Sequence, residues 1–166
     1  MLHPVRRRTW APRGKTPIQY SWGRHDRLSV VSALTVSPLQ HRIGLYFKIH
    51  RRNISSEDVS SFVLSVMRHL RRKIILVLDS WSVHKGAVNR LLESHRDSID
   101  VEWLPTYAPE LNPVEQVWNH TKFGELANYI PEDLDELSFE VEESMVGKRS
   151  NQSLLRSFFK HAGLDL

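Results

Sequence analysis

The chain has 166 residues, 40% of them hydrophobic, with 23 Lys and Arg against 19 Asp and Glu and no cysteine. That size and balance suit one soluble domain with a real core, and the missing thiols exclude disulfide frameworks, thiolate zinc sites and cysteine nucleophiles together. The longest apolar run, Ile74–Leu78, is far shorter than the roughly 20 residues that span a bilayer, and the Arg-rich start lacks an apolar signal core, so neither a membrane span nor a secretion signal is expected.

The net charge of +4 conceals a division. Residues 1–75 hold 15 Lys/Arg and 3 Asp/Glu, a net of +12, whereas residues 76–166 hold 8 and 16, a net of −8. A basic first half that includes Arg6, Arg7, Arg8, Arg13, Lys15, Arg24 and Arg27 can neutralise phosphates and release counterions, which points to nucleic acid. A solvated basic face, or contact with another acidic partner, explains the same residues, and charge alone does not choose.

Residues 1–20 are rich in Arg and Pro and read as an irregular exposed arm around Thr9 and Trp10, with a Pro12-Arg13-Gly14-Lys15 turn and with Trp10 and Tyr20 as its anchors. The segments Leu28–Val36 and Ile43–His50 read as two strands of an antiparallel hairpin, joined by a loop over Ser37–Arg42. Ser55 and Asp58 form a capping-box pattern ahead of Val59, Phe62, Val63, Val66, Met67 and Leu70, which predicts a helix over 56–71. The run Ile74–Leu78 shows no alternation, as expected of a strand buried on both faces, and ends in Asp79. A helix with Val88, Leu91, Leu92 and His95 inward follows, then a strand in which Ile99, Val101 and Trp103 alternate with Asp100 and Glu102, so a parallel crossover is expected. After the loop bounded by Pro105 and Pro109, Asn112 caps and Pro113 opens a helix with Val114, Val117 and Trp118 inward. An acidic helix starting near Pro131, with Leu134, Leu137, Val141 and Met145, and a last one with Leu154, Leu155, Phe158 and Phe159 complete the chain at Gly163.

Two carboxylates stand out by placement. Asp79 ends a strand and Glu115 lies in the first turn of the helix after the next strand, so both converge on the edge where α/β sheets bind ligands. Hard divalent cations take oxygen ligands, usually one or two carboxylates with water and substrate phosphates, so the pair suffices without His or Cys. Structural roles account for both residues as well, Asp79 capping the next turn and Glu115 closing a capping box with Asn112.

The stretch Leu76-Val77-Leu78-Asp79-Ser80, His84-Lys85 beyond it, and above all Leu104-Pro105-Thr106-Tyr107-Ala108-Pro109-Glu110-Leu111-Asn112-Pro113-Val114-Glu115-Gln116-Val117-Trp118 resemble the catalytic domain of mariner-like insertion-sequence transposases. The resemblance takes in Arg8-Thr9-Trp10-Ala11-Pro12-Arg13-Gly14 and the Leu154–Phe159 tail, hence nearly the whole chain. It implies a DDE enzyme of RNase H-like fold: an α/β mixed sheet, antiparallel hairpin plus parallel strands, flanked by helices. Residues 1–27 would form the basic arm, 28–128 the core and 129–166 the C-terminal helices. By this resemblance Asp79 and Glu115 are the second and third acidic ligands of two Mg²⁺ or Mn²⁺ ions, which clamp a phosphate for in-line displacement. Asn112, Pro113 and Trp118 belong to the same motif, and His84 contacts phosphate or braces the Asp79 loop. The implied chemistry is hydrolysis at transposon ends, then joining of their 3′-hydroxyls to target DNA. The implied partners are DNA and a second copy of the chain in a homodimer, and the implied location is the bacterial cytoplasm, at the nucleoid. The arm, through Arg6, Arg7, Arg8, Arg13 and Lys15, would touch DNA or the partner subunit.

The sequence also departs from the family. Relatives carry a first catalytic Asp on a central strand ahead of the segment matching Leu2-His3-Pro4, and this strand, like the amino-terminal helix-turn-helix region, is expected to be missing here. Asp26, between His25 and Arg27, lacks that motif's context, and Ser80 replaces the usual Asn. A fragment lacking that strand is expected to be poorly stable and, as this chain alone, incomplete or inactive in transposition; two alternatives stand beside the transposase reading: a non-catalytic DNA-binding or dimerising remnant, and an RNase H-like nuclease.

Overall fold

A computed structural model describes residues 5, 7–15, 18, 28–40 and 42–166. Expectations for Arg6, Tyr20, Arg24, Asp26 and Arg27 lie outside these residues.

Strands β1 (Ser29–Val36) and β2 (Ile43–His50) form the expected antiparallel hairpin, in register from Ser29 opposite His50 to Val36 opposite Ile43. The Ser37 N–H donates to the Arg42 carbonyl at 3.0 Å, and Gln40 takes a left-handed φ of 55° to close the turn. Helix α1 (Ser56–Leu70) starts at the predicted capping box, where Ser55 Oγ accepts the Asp58 N–H and Asp58 accepts the Ser55 N–H. Hydrogen bonds from Arg52, then those from Ser55, hold the Asp58 carboxyl well below the usual carboxylate range. Strand β3 (Ile74–Leu78), helix α2 (Ser82–His95) and strand β4 (Ile99–Trp103) follow, with β4 parallel to β3 from Ile74 opposite Ile99 to Leu78 opposite Trp103. Then come α3 (Pro113–Asn119), α4 (Leu134–Ser150) and α5 (Gln152–His161).

The architecture is thus a mixed α/β arrangement of a hairpin and a parallel pair flanked by helices. Among the described residues the strands form two separate two-stranded sheets, and no ladder joins β1 to β3. The hairpin lies between two cores. On one face Ile43, Leu45, Phe47 and Ile49 meet Val117 of α3, Leu137, Val141 and Met145 of α4, and Leu155, Phe158 and Phe159 of α5. On the other, Val31, Ala33 and Tyr46 meet Val59, Phe62, Val63 and Val66 of α1, Leu91 of α2, and Ile74, Leu76, Ile99 and Val101 of the parallel pair. Side chains cover the outer edge of β2: Gln152 bonds both the N–H and the carbonyl of Ile43 at 2.9 Å, and Arg149 donates to the Leu45 carbonyl at 3.2 Å.

Three expectations are corrected. β3 is not buried on both faces: Ile75 and Val77 are 68% and 54% exposed, because only the side bearing Ile74 and Leu76 is covered by α1 and α2. Trp10 does not anchor the arm, since its ring is fully exposed. Leu92 and His95 are only half-buried, as α2 turns its buried stripe at Ala87, Val88 and Leu91.

Patterning gave no sign of two features beyond α3. The helix continues into a π-helical turn, His120–Glu125, and Lys148 of α4 is 1% exposed, its ammonium bonded to Glu125 and to Ser144 Oγ at 2.7 Å. Burial pushes the Lys148 pKa down, opposed by Glu125.

Gly86 lets α2 approach α1: a Cβ there would lie 2.4 Å from Ser56 Oγ and 3.0 Å from Ser56 Cβ. Gly86→Ala therefore gains about 1 kcal/mol of helix propensity but is expected to cost about 1–3 kcal/mol by overpacking. Urea unfolding should show a net loss of stability, recovered when Ser56→Gly is added.

Candidate functional site

Asp79 leaves the carboxyl end of β3 with its side chain 48% exposed. One carboxylate oxygen is doubly engaged: Oδ1 accepts the Trp81 backbone N–H at 3.0 Å and lies 2.7 Å from His84 Nδ1, a bond that requires the proton on Nδ1. The other oxygen has no hydrogen bond among the described residues. His84, on the first turn of α2, is held in turn by the Trp81 ring, edge-on at 5.3 Å. His84 Nδ1 and the Trp81 N–H thus meet the same Asp79 oxygen in the turn after β3.

The loop leading to the second carboxylate is fixed at both ends. The Leu104 N–H donates to the Leu78 carbonyl at 2.7 Å, extending the parallel ladder to the residue before Asp79. At the far end Asn112 Oδ1 accepts the Val114 N–H at 3.2 Å, with Pro113 at the first helical position. The anticipated capping box does not close. The Asn112 N–H is already given to the Pro109 carbonyl at 3.0 Å, which leaves the Glu115 carboxylate free to face elsewhere.

It faces Asp79. Burial, then the Asp79 charge, pushes the Glu115 pKa up, so the two acids sense one another. Glu115 is half-buried and no Lys or Arg pairs with it among the described residues. Asp58, clamped by both Arg52 nitrogens at 2.7 Å, shows the opposite arrangement, a carboxylate satisfied by protein alone. Two carboxylates with open oxygens and no Lys or Arg partner among the described residues suit a hard divalent cation. Among the described residues no set of three acidic or histidine side chains is arranged to hold one ion.

Of the predicted site residues, His84 and Asp79 are in contact, and Glu115 is near enough for the Asp79 charge to raise its pKa. Asn112 and Pro113 set the start of α3, and Trp118 is half-buried against the first core. The basic residues are elsewhere. Arg7 docks the arm, its N–H on Asn128 Oδ1 at 2.6 Å and its guanidinium on the Phe123 carbonyl at 2.5 Å, beside a parallel bridge between Val5 and Ala127. Arg8, Arg13 and Lys15 face solvent.

The fold defines an α/β protein in which Asp79 follows the carboxyl end of a parallel strand and Glu115 lies in the first turn of the helix after the next strand. Residues 1–138 match the family model described as DDE superfamily endonuclease, and the chain belongs to that family. Among solved structures it is similar to the crystal structure of the Mos1 strand transfer complex, with a TM-score of 0.63 and 13% identity, over 98% of this chain and 47% of that one. This chain therefore spans about half the length of that relative. A comparison with curated proteins gave no match. Among the described residues no helix is long and apolar enough to cross a membrane.

A carboxyl whose pKa is raised by folding stabilises the native state below its unfolded value, about 4.3, and that contribution is lost as pH rises through the folded value. Glu115→Gln should thus raise the urea midpoint at pH 7 and leave it unchanged near pH 3. An equal gain at both values would contradict the coupling.

Proposed function

We propose that this chain is the catalytic domain of a mariner-like DDE transposase, which cuts DNA strands at transposon ends and joins them to target DNA. Membership in the DDE superfamily implies divalent-metal chemistry, and the reading is carried by that match together with a half-buried Glu115, without a Lys or Arg partner among the described residues, whose pKa burial and the Asp79 charge push up. Asp79, through its free oxygen, and Glu115 hold the metal; His84 and the Trp81 N–H fix the Asp79 rotamer. When bound, Mg²⁺ or Mn²⁺, two ions in the intact family site, supplies Lewis acidity to the attacking and leaving oxygens of a phosphodiester. The likeness to a strand transfer complex, together with exposed Arg8, Arg13 and Lys15, supports DNA as partner, and the arm also suits a homodimer contact.

A second reading is DNA binding without cleavage. It is favoured by the lack, among the described residues, of a third ligand beside the pair.

The test is strand cleavage of DNA carrying the element's ends, with Mg²⁺ or Mn²⁺, alongside calorimetric Mn²⁺ binding. Cleavage is expected to vanish in Asp79→Asn and Glu115→Gln, and His84→Ala should weaken Mn²⁺ binding by about 10- to 100-fold. Retained cleavage in Glu115→Gln would remove its assigned role. Salt-sensitive DNA binding without cleavage, untouched by Asp79→Asn, would establish the second reading instead.

A further inference from the structure

Two exposed aromatic side chains, Trp81 after β3 and Tyr107 in the loop before α3, lie on the segments next to the two acids in the chain and take no part in holding the metal. Tyr107 is 97% exposed, and its backbone is left-handed at φ 60°. A bulky aromatic in that region is uncommon and strained, so the loop holds the ring in water against both its conformational and its hydrophobic preference. The loop is not slack there: it is pinned at Leu104, three residues earlier, by the bond to the Leu78 carbonyl, and at Asn112 by the α3 cap. Tyr107 thus follows, by three residues or at most about 10 Å of chain, the point where the loop is bonded to the residue before Asp79. Trp81 is 50% exposed, and its own N–H bonds the Asp79 carboxylate while its ring rests on His84.

These faces differ in kind from the rest of the edge. The carboxylates repel phosphate unless a cation intervenes, whereas an exposed aromatic face is indifferent to charge and stacks on any base. We propose that Tyr107 and Trp81 form a stacking platform for unpaired nucleobases next to the phosphodiester held at Asp79 and Glu115. The strand is thereby gripped through its bases where the acidic edge cannot grip its backbone. This rests on the proposed function for what lies between the two rings, but its own content, recognition of unpaired bases, requires no metal.

The experiment uses the chain carrying Glu115→Gln, so that nothing is cut, in EDTA. It is titrated into an oligonucleotide with 2-aminopurine at one position, either unpaired over a few nucleotides or fully paired. The unpaired probe should be quenched on binding. Tyr107→Phe should preserve affinity and quenching; Tyr107→Gly and Trp81→Ala should weaken unpaired DNA by about 5- to 150-fold and abolish quenching, with paired DNA changed less than about two-fold. Glycine is at home at φ 60°, so Tyr107→Gly should unfold no earlier in urea than the parent chain, and its loss of binding cannot come from misfolding. Quenching that survives in Tyr107→Gly, an equal loss on paired DNA, or no binding of the unpaired probe overturns the proposal. The Mn²⁺ titration of the unsubstituted chain is read separately: absent metal binding with intact stacking sinks the metal assignment and leaves the platform standing.

Discussion

Two carboxylates near enough for the charge of Asp79 to raise the Glu115 pKa, with no Lys or Arg paired to either among the described residues, are the constraint on which this edge of the molecule depends. Like charges in a half-buried setting disfavour one another, and only rigid attachments keep them together. The attachments come from opposite sides of the hairpin. Asp79 ends β3, which belongs to the core of α1, α2 and β4; Glu115 rides on α3, which inserts fully buried Val117 into the core of α4 and α5. The pinned loop from Leu104 to Asn112 joins the two systems. The acids therefore report on the relation of two cores, and a cation between them would tie those cores together as well as serve chemistry.

Much of this was legible in the residues. The Ser55–Asp58 capping box, the α1 stripe, the hairpin alternation and the Asn112-Pro113 start each depend on interactions within a few positions, which sequence spacing captures directly. The two acids were legible for a related reason, since strand ends and first helical turns are local features. What escaped depends on contacts distant in sequence. An all-apolar run such as Ile74–Leu78 does not say which neighbours are present to cover it, and here one face goes uncovered. A lysine in a late helical turn reads as solvated, yet Lys148 is buried because Glu125, 23 positions earlier, meets it. The failed capping box is a local exception: Asn112 and Glu115 had the right spacing, but Pro109, three residues before Asn112, had taken the N–H.

The uneven charge finds a partial structural expression. Arg7 and Val5 fasten the basic arm to Asn128 and Ala127, just past the π-helical turn that extends α3. That turn is itself secured by Glu125 on Lys148, so one continuous unit carries Glu115 at its start and the arm's docking point near its end. Exposed Arg8, Arg13 and Lys15 are thereby tethered to the same unit as an acidic site that repels phosphate. Cations held away from a carboxylate pair contribute to the field of the protein without pairing with those carboxylates.

Placement of Asp79 rests on a short chain of contacts. β3 pairs with β4 alone among the described residues, and a two-stranded sheet is marginal by itself, so the strand cannot fix its last residue through the ladder only. The remaining support comes from α2, whose His84 and preceding Trp81 both hold Oδ1. α2 is located in turn by the close approach of Gly86 to Ser56, at the capped start of α1. A cap on one helix, a missing side chain on the next and a histidine two residues before it thus act in series, and a methyl group at Gly86 would be felt at the carboxylate through His84.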